Sequence, residues 1–257
     1  MPWVGTLPKP HTSIPGFTCV TFTTGALAFY APLYFVNAID SMGPNCTNTT
    51  TGDGGEYEPV ISTDSVSFVI GAITATAGDL QGLPALPPGL GGVVAGMLLS
   101  RYLRGRFEWI DPFICGASLL VSIPLLIVAI QIAKSKTITA FIIMFFGMFF
   151  LNFNWSVAVD MTIYVITPTR RASAEAIHLM LTHALGEAGA PYMVGLLVDG
   201  LKEGVKEQHA EGTCRQVIDY YSFQYAMYLP MALLFTGGVL FLLACRWVVQ
   251  DKQAVEK

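Results

Sequence analysis

Ionisable side chains are concentrated in residues 167–192, TPTRRASAEAIHLMLTHALGEAGAPY, within the most apolar part of the chain. His183 and Glu187 are four residues apart, so on a helix they are neighbours and can exchange a proton. His178 lies about 140° around the helix from His183, which argues against a common metal site. We therefore predict no metal and no other cofactor, and we interpret His183 and Glu187 as a proton-accepting pair. The alternative is a hydrogen-bonded pair that only joins two helices.

A row of polar side chains precedes this segment at intervals of four residues, which is typical of a slowly winding stripe on a helix. The row consists of Asn152, Ser156, Asp160 and Tyr164. Because a carboxylate at the centre of a membrane helix costs about 2.5 to 3.5 kcal/mol, we expect Asp160 near the cytoplasmic end or in an ion pair. An ion pair with Arg170 or Arg171 would make its role structural. Asp160 and Glu175 are the remaining candidates for a proton relay.

The composition identifies a membrane protein and excludes several other classes. Hydrophobic residues make up 53% of the 257 residues, charged residues only 12%, and the mean hydropathy is +0.55. Soluble domains carry about twice that share of charge. The net charge of −4 and the lack of a basic run exclude a nucleic-acid partner. No G-x-S-x-G, H-E-x-x-H or phosphate-cradling motif occurs, so we predict no catalytic residues and no enzymatic activity.

Six membrane spans are predicted, because crossing a bilayer core takes about 20 apolar residues per helix. They cover residues 17–38, 66–103, 112–133, 138–166, 173–198 and 223–248, between a cytoplasmic lead-in at 1–16 and a cytoplasmic tail at 249–257. The second span is interrupted near residues 79–88 by DLQGLPALPP, whose three prolines remove backbone donors and whose Asp79 would enter the membrane unpaired. We interpret this insertion as a retained intron or an error in the gene model. The alternatives are a broken, re-entrant second helix, or seven spans.

The distribution of basic residues predicts that both termini lie in the cytoplasm. No cleavable signal peptide is recognisable, so the first helix is expected to act as its own insertion signal. Of the fourteen Lys and Arg residues, nine fall on the inside in this topology and five on the outside. The inside set includes five arginines near the ends of predicted spans, which we interpret as topology anchors: Arg101, Arg104, Arg106, Arg170 and Arg171.

The first external loop carries two glycosylation acceptors in NCTNTTTG, at Asn45 and Asn48. They predict that this loop faces a lumen or the exterior, although a chance match in a Thr-rich loop is the alternative. Cys46 in the same loop and Cys214 in the last external loop would share an oxidising compartment. They could form a disulfide or remain two unpaired thiols.

Four stretches of the chain closely resemble the Spinster group of the major facilitator superfamily. The run NWSVAVDMTIYVITPTRRASAEAIHLMLTHALGEAGAPYMVGLLVDGL, residues 154–201, is similar to helices ten and eleven of that family. FTTGALAFYAPLY and IDPFICGASLLVSIP look like its helices seven and nine. GGVVAGMLLSRYLRGR looks like the superfamily's gating loop between helices eight and nine, which implies that its arginines belong to a cytoplasmic gate. The resemblance covers nearly the whole chain from residue 17 to residue 248.

The resemblance implies an all-α fold whose six spans correspond to helices seven to twelve of a twelve-helix transporter. Some Spinster proteins export lysophospholipids from lysosomes, others move sphingosine 1-phosphate across the plasma membrane, and some are coupled to protons. It therefore implies a multi-pass protein of the lysosomal, late endosomal or plasma membrane with an amphiphilic lipid substrate. Positions matching family motifs are Asn154, Trp155, Asp160, Arg170, Arg171, Glu175, His183, Glu187, Pro191 and Tyr192. Candidates for lining the cavity are Asn152, Asn154, Trp155, Ser156, Tyr164 and Tyr192.

The chain departs from the family pattern in three respects. Glu187 replaces an Asp and Ala190 replaces a Ser, the 79–88 insertion is foreign to helix eight, and nothing matches the amino-terminal six helices. Because the transport site lies between the two halves, we interpret the chain as a fragment or short isoform that is inactive alone. The alternative is a non-transporting membrane partner that assembles with a full-length transporter or a separate half. A transporting homodimer of halves is a third hypothesis.

Overall fold

The computed structural model describes residues 13–41, 88–107, 109–165, 169, 171–208 and 215–246, and all long elements in these ranges are helices. The helices are α1 (Ser13–Asp40), α2 (Pro88–Arg104), α3 (Ile110–Ile132), α4 (Thr137–Leu151), α5 (Asn154–Val165), α6 (Arg171–Thr182), α7 (Gly189–Gln208), α8 (Arg215–Ala226) and α9 (Tyr228–Ala244). A single π-helical turn, His183–Glu187, joins α6 to α7. The prediction of an all-α chain is therefore confirmed for the described residues.

Within the described residues, four stretches are long and apolar enough to cross a membrane: Ile14–Asp40, Ile110–Ile132, Thr137–Met161 and Arg215–Ala244. Together with the composition, they identify an integral membrane protein. Most of the predicted second span lies outside the described residues, with only its last part present as α2. The count of six spans and their match to helices seven to twelve therefore remain predictions.

Helix α1 lies at the centre of the bundle, where it packs against α6 to α9 and the π turn. Helix α3 packs between α4 and α9. Near one end of the bundle, the Tyr34 hydroxyl of α1 donates a 2.5 Å hydrogen bond to the carbonyl of Ile130 in α3. The Tyr34 ring also stacks on Tyr220 of α8 at 5.2 Å between ring centres. Polar links of this kind hold membrane helices together, because lipid supplies little hydrophobic drive for helix association.

The fourth predicted span is two helices rather than one, with a break at Asn152 and Phe153. The Asn152 amide donates a 2.8 Å hydrogen bond to the carbonyl of Met148, and such a bond competes with the helical backbone. Asn154 does the same with the carbonyl of Leu151 at 3.0 Å. The break turns the chain before α5, which carries Trp155 and Asp160.

The fifth and sixth predicted spans also contain an interruption. Pro191 lacks the amide that would bond the carbonyl of Glu187 in a regular helix, and the π turn ends at that residue. Pro230 similarly lacks the amide that would bond Ala226, the last residue of α8. Beyond the predicted 173–198, helix α7 continues to Gln208.

Candidate functional site

The π turn between α6 and α7 is fixed by contacts with α1. The Thr21 hydroxyl donates a 2.8 Å hydrogen bond to the carbonyl of Thr182, the residue directly before the turn. Gly186, inside the turn, is buried against the same Thr21, and a Cβ atom there would clash with the Thr21 hydroxyl. A Cβ atom on Gly25 would lie 2.7 Å from the backbone oxygen of Glu187. The two glycines therefore allow a close backbone approach, as is typical of membrane helix interfaces.

A second anchor lies one turn further along α7. The Tyr30 hydroxyl of α1 donates a 2.7 Å hydrogen bond to the carbonyl of Pro191. Gly195 allows the Tyr30 side chain to pack closely here, since a Cβ atom on Gly195 would lie 2.6 Å from the Tyr30 hydroxyl oxygen. The backbone on both sides of Glu187 is thus held by α1. A π turn placed in this way is a common feature of functional sites.

His183 and Glu187 form the ionisable pair that their spacing predicts. The Nδ1 atom of His183 lies 2.5 Å from Oε2 of Glu187, within hydrogen-bond distance. The side chains are 38% and 46% exposed, respectively. The Trp155 ring of α5 packs against the imidazole, with 5.7 Å between ring centres. The pair is therefore half exposed on the outer face of the described bundle.

Buried groups lie behind this pair. The Phe17 ring contacts Trp155 and His178, with 5.4 Å between ring centres in both cases. His178 is buried, and its Nδ1 atom lies 3.9 Å from Oε2 of Glu175. The carboxyl oxygens of Glu175 and the indole N–H of Trp155 find no hydrogen-bond partner among the described residues. Glu175 and His178 therefore form a looser second pair on the packed side of α6.

A charge cluster joins α2, α3 and α5 at the predicted cytoplasmic end. Arg104 lies between two carboxylates, with Nε at 3.0 Å from Asp111 and Nη2 at 3.1 Å from Asp160. Ser100 donates a 2.7 Å hydrogen bond to Asp111 and accepts one from Arg104 at 3.0 Å. Asp111 is fully buried, so the cluster neutralises a carboxylate that would otherwise be costly inside the protein.

The electrostatic balance of this cluster keeps Arg104 charged. Partial burial by itself would lower the pKa of the guanidinium, but the charges of Asp111 and Asp160 outweigh it and the pKa is raised. Asp160 is in an ion pair, as one of the two expectations for it has it, and the partner seen in the structure is Arg104 of α2. Sequence reasoning missed Asp111 altogether. The available signal was an acidic residue directly before Pro112 in the first turn of a helix, seven residues after Arg104.

The structure places the other predicted site residues as follows. Asn152 and Asn154 are fully buried and stabilise the break between α4 and α5. Ser156 donates a 3.2 Å hydrogen bond to the carbonyl of Val93 and so links α5 to α2. Tyr192 is 71% exposed. Among the remaining described arginines, Arg101 and Arg106 are exposed and Arg171 is half-buried. The predicted site residues that lie outside the described part of the chain are Arg170, the side chain of Tyr164, Asn45, Asn48, Cys46 and Cys214.

Large apolar side chains surround the ionisable pair on α6, the π turn and α7. Those exposed by more than half are Ile177, Met180, Leu185, Tyr192, Met193 and Leu196. The same stretch carries both half-exposed members of the His183–Glu187 pair. A lipid-facing helix would not expose ionisable groups, since these face the bundle interior or a water-filled cavity in membrane proteins. This face is therefore expected to meet water or protein rather than lipid.

Comparison with known proteins identifies relatives of this chain. No protein-family model matches it. The Drosophila melanogaster "Protein spinster" is 39% identical over 189 residues, which are 74% of this chain and 27% of the relative. The Danio rerio "Sphingosine-1-phosphate transporter SPNS2" is 32% identical over 240 residues, 93% of this chain and 42% of the relative. The chain thus spans less than half of the length of these relatives.

A solved structure shows the same fold. It is the crystal structure of a bacterial homologue of the human lysosomal transporter Spinster, in an inward-facing and unoccupied conformation. The TM-score is 0.70 at 14% sequence identity, and the match covers 93% of this chain and 48% of the bacterial protein. At this identity the likeness concerns the fold alone.

Proposed function

Because this chain belongs to the Spinster family of the major facilitator superfamily, we propose that it forms the carboxy-terminal half of a lipid transporter. Its helices would correspond to helices seven to twelve, with the transport cavity between this half and an amino-terminal half. The matched share of the relatives, 27% and 42%, supports one half of a longer protein. In this proposal the chain is inactive until the other half is present.

The observation that carries the proposal is the His183–Glu187 pair at 2.5 Å, half exposed on the fifth predicted span. An ionised side chain facing lipid is costly, so the face that carries it has to meet water or protein. A cavity between two transporter halves meets this condition. In that position the pair can take up and release a proton in step with the opening of the cavity to one side.

An elongated amphiphile fits the chemistry of this face. Exposed apolar side chains such as Met180, Leu185 and Leu196 suit a hydrocarbon chain, and Tyr192 with the His183–Glu187 pair provides polar groups for a head group. A Danio rerio relative is named as a sphingosine 1-phosphate transporter. We assign the same class of substrate here, a single-chain lipid phosphate such as sphingosine 1-phosphate or a lysophospholipid. For such a substrate we propose a location in the lysosomal or the plasma membrane.

The Arg104 cluster gives the proposed half its cytoplasmic gate. Arg104 ties α2 to α3 through Asp111 and to α5 through Asp160. Asp160 is 38% exposed, whereas Asp111 is fully buried. Opening at this end would break the more exposed contact first, while the buried one keeps α2 and α3 together. Asp160 therefore acts as a gate residue in this proposal.

A chimera tests the proposed function. The segment of the Danio rerio relative that matches this chain is replaced by this chain, and uptake of labelled sphingosine 1-phosphate and lysophosphatidylcholine is measured in proteoliposomes. We expect uptake by the chimera and none by the isolated chain. A chimera that reaches the membrane and binds neither lipid would contradict transport. That outcome would favour the non-transporting partner.

The matched control is Glu203→Gln on the same helix. Glu203 is exposed and lies beyond the predicted span, so its loss should leave uptake by the chimera unchanged. The His183→Ala, Glu187→Ala double variant should reduce uptake strongly. Equal uptake by both variants would show that His183 and Glu187 take no part in transport, and the family assignment would be unaffected.

A further inference from the structure

A second apolar surface lies away from the His183–Glu187 pair and shares no lining residue with it. Helix α2, the first half of α3 and the break between α4 and α5 line an open groove of about 240 Å³. Residues that line it include Leu99, Leu103, Phe113, Val121, Phe150 and Phe153.

The groove offers no free hydrogen-bonding side chain to a ligand. Its one polar lining side chain is Ser118, whose hydroxyl donates to the carbonyl of Cys115 at 3.0 Å. The same hydroxyl accepts a 3.3 Å hydrogen bond from the Asn154 amide. An occupant of the groove is therefore bound by apolar contact alone, as a hydrocarbon chain would be.

The length of the groove matches one lipid leaflet. Its lining residues on α3 run from Ile110, the first residue of the helix, to Val121. At 1.5 Å per residue this distance is about 16 Å. Half of a bilayer core about 30 Å thick is about 15 Å. A groove that starts at a helix end and stops near the middle of the membrane fits one acyl chain and not a membrane-spanning helix.

Aromatic side chains before and at the start of α3 lead to Phe113, which lines the groove, and Arg106 directly precedes them in the chain. Phe107, Trp109 and Phe113 form a ladder, with ring centres 5.6 Å and 5.4 Å apart, and all three are partly exposed. Such aromatic side chains are enriched where a membrane meets water. Arg106, in the same turn, is exposed and forms no ion pair within the described residues, whereas Arg104 is held by Asp111.

We propose that this groove binds one acyl chain of an anionic phospholipid, with the lipid phosphate at Arg106. The guanidinium carries the charge and the paired donors that a phosphate needs, and anionic lipids are concentrated in the cytoplasmic leaflet, where this end is predicted to lie. The site holds a resident membrane lipid on the outer surface of α2 and α3. It does not depend on the proposed transport.

Quenching of Trp109 fluorescence tests this proposal on the purified full chain. The protein is reconstituted in phosphatidylcholine vesicles that contain either brominated phosphatidylglycerol or, at the same mole fraction, brominated phosphatidylcholine. The part of the quenching that disappears in Trp109→Phe is assigned to Trp109. We expect about fivefold tighter binding of the anionic lipid, the order expected for one arginine at a charged membrane surface.

Two variants and one control make the result specific. Arg106→Gln should abolish the preference for the anionic lipid, and Ala117→Phe should do so by filling the groove. Arg246→Gln, an exposed arginine at the end of α9, should keep the preference. Equal quenching by both lipids in the unmodified chain, or a preference that survives in Arg106→Gln or Ala117→Phe, would overturn the proposal. A cross-link between two copies through Leu99 would overturn it as well, because the groove would then hold a second chain.

Discussion

The Thr21 hydroxyl of α1 donates a 2.8 Å hydrogen bond to the carbonyl of Thr182, the residue that directly precedes the π turn of His183 and Glu187. This bond satisfies a backbone oxygen at the point where the regular helix ends. The position of the ionisable pair therefore depends on α1 as well as on its own helix. A transporter half that moves α1 would move His183 and Glu187 with it.

Replacing Thr21 by Val should loosen this contact. We expect the free energy of unfolding to fall by about 1 kcal/mol, since the variant leaves the Thr182 carbonyl without its donor. Unfolding of the detergent-solubilised chain by SDS, followed by circular dichroism, measures the change. Thr236→Val is the control, because exposed Thr236 bonds only to the carbonyl of Ala232 in its own helix. Equal losses in the two variants would show that the link to α6 contributes nothing.

Gly25→Ala tests the close approach of α1 to the π turn. The added Cβ would lie 2.7 Å from the backbone oxygen of Glu187, so the helices have to separate. A loss of about 1 to 3 kcal/mol in stability is expected from such overpacking. Gly200→Ala has no neighbour within 4 Å and should be neutral or slightly stabilising. An equally stable Gly25→Ala protein would be inconsistent with the packing described here.

Arg104→Ala should destabilise the predicted cytoplasmic end of the bundle. It leaves the buried carboxylate of Asp111 without its partner, at a cost of about 3 kcal/mol. Much of that loss should be recovered in the Arg104→Ala, Asp111→Asn double variant, which removes the unpaired charge. Arg101→Ala, at an exposed position on the same helix, should unfold like the unmodified chain. A double variant as unstable as Arg104→Ala would mean that charge pairing is not the cause.

The Asp160→Asn variant should change the opening of the proposed gate with little effect on the stability of the protein. Asp160 is 38% exposed, so its loss should cost far less stability than the loss of Arg104. In the chimera we expect easier opening at this end, seen as faster labelling of a cysteine placed at Ser156 by a water-soluble maleimide. An unchanged labelling rate would argue against a gate at Asp160.

Hydropathy and residue spacing predict the helices and the ionisable pair, because both are local properties of the sequence. The i, i+4 spacing places His183 beside Glu187, and long apolar runs place α1 and α3 within four residues of their observed ends. The partners of Asp160 and Asn154 are long-range. The spacing of residues within one helix cannot predict that Arg104 of α2 pairs with Asp160 of α5, or that Asn154 is buried against Ser118.

The π turn also escapes prediction from the sequence. Gly186 and Pro191 indicate a weakened helix, but the change of helical register arises where α1 bonds the carbonyls of Thr182 and Pro191. Gly186 and Gly195 lie against α1, whereas the nearest atom to a Cβ on Gly189 would be the Ala184 carbonyl oxygen of its own segment, at 3.8 Å. The contacts of a glycine depend on the neighbouring helix and cannot be read from its own segment.

The most direct test of the account is lipid uptake by the chimera under a pH gradient. We predict that an imposed gradient changes the rate of lysophospholipid uptake by the unmodified chimera, and that the His183→Ala, Glu187→Ala double variant loses this response while it still reaches the membrane. The Glu203→Gln chimera should respond like the unmodified one. A gradient response that persists undiminished in the double variant would contradict the assignment of His183 and Glu187 as the proton-carrying pair.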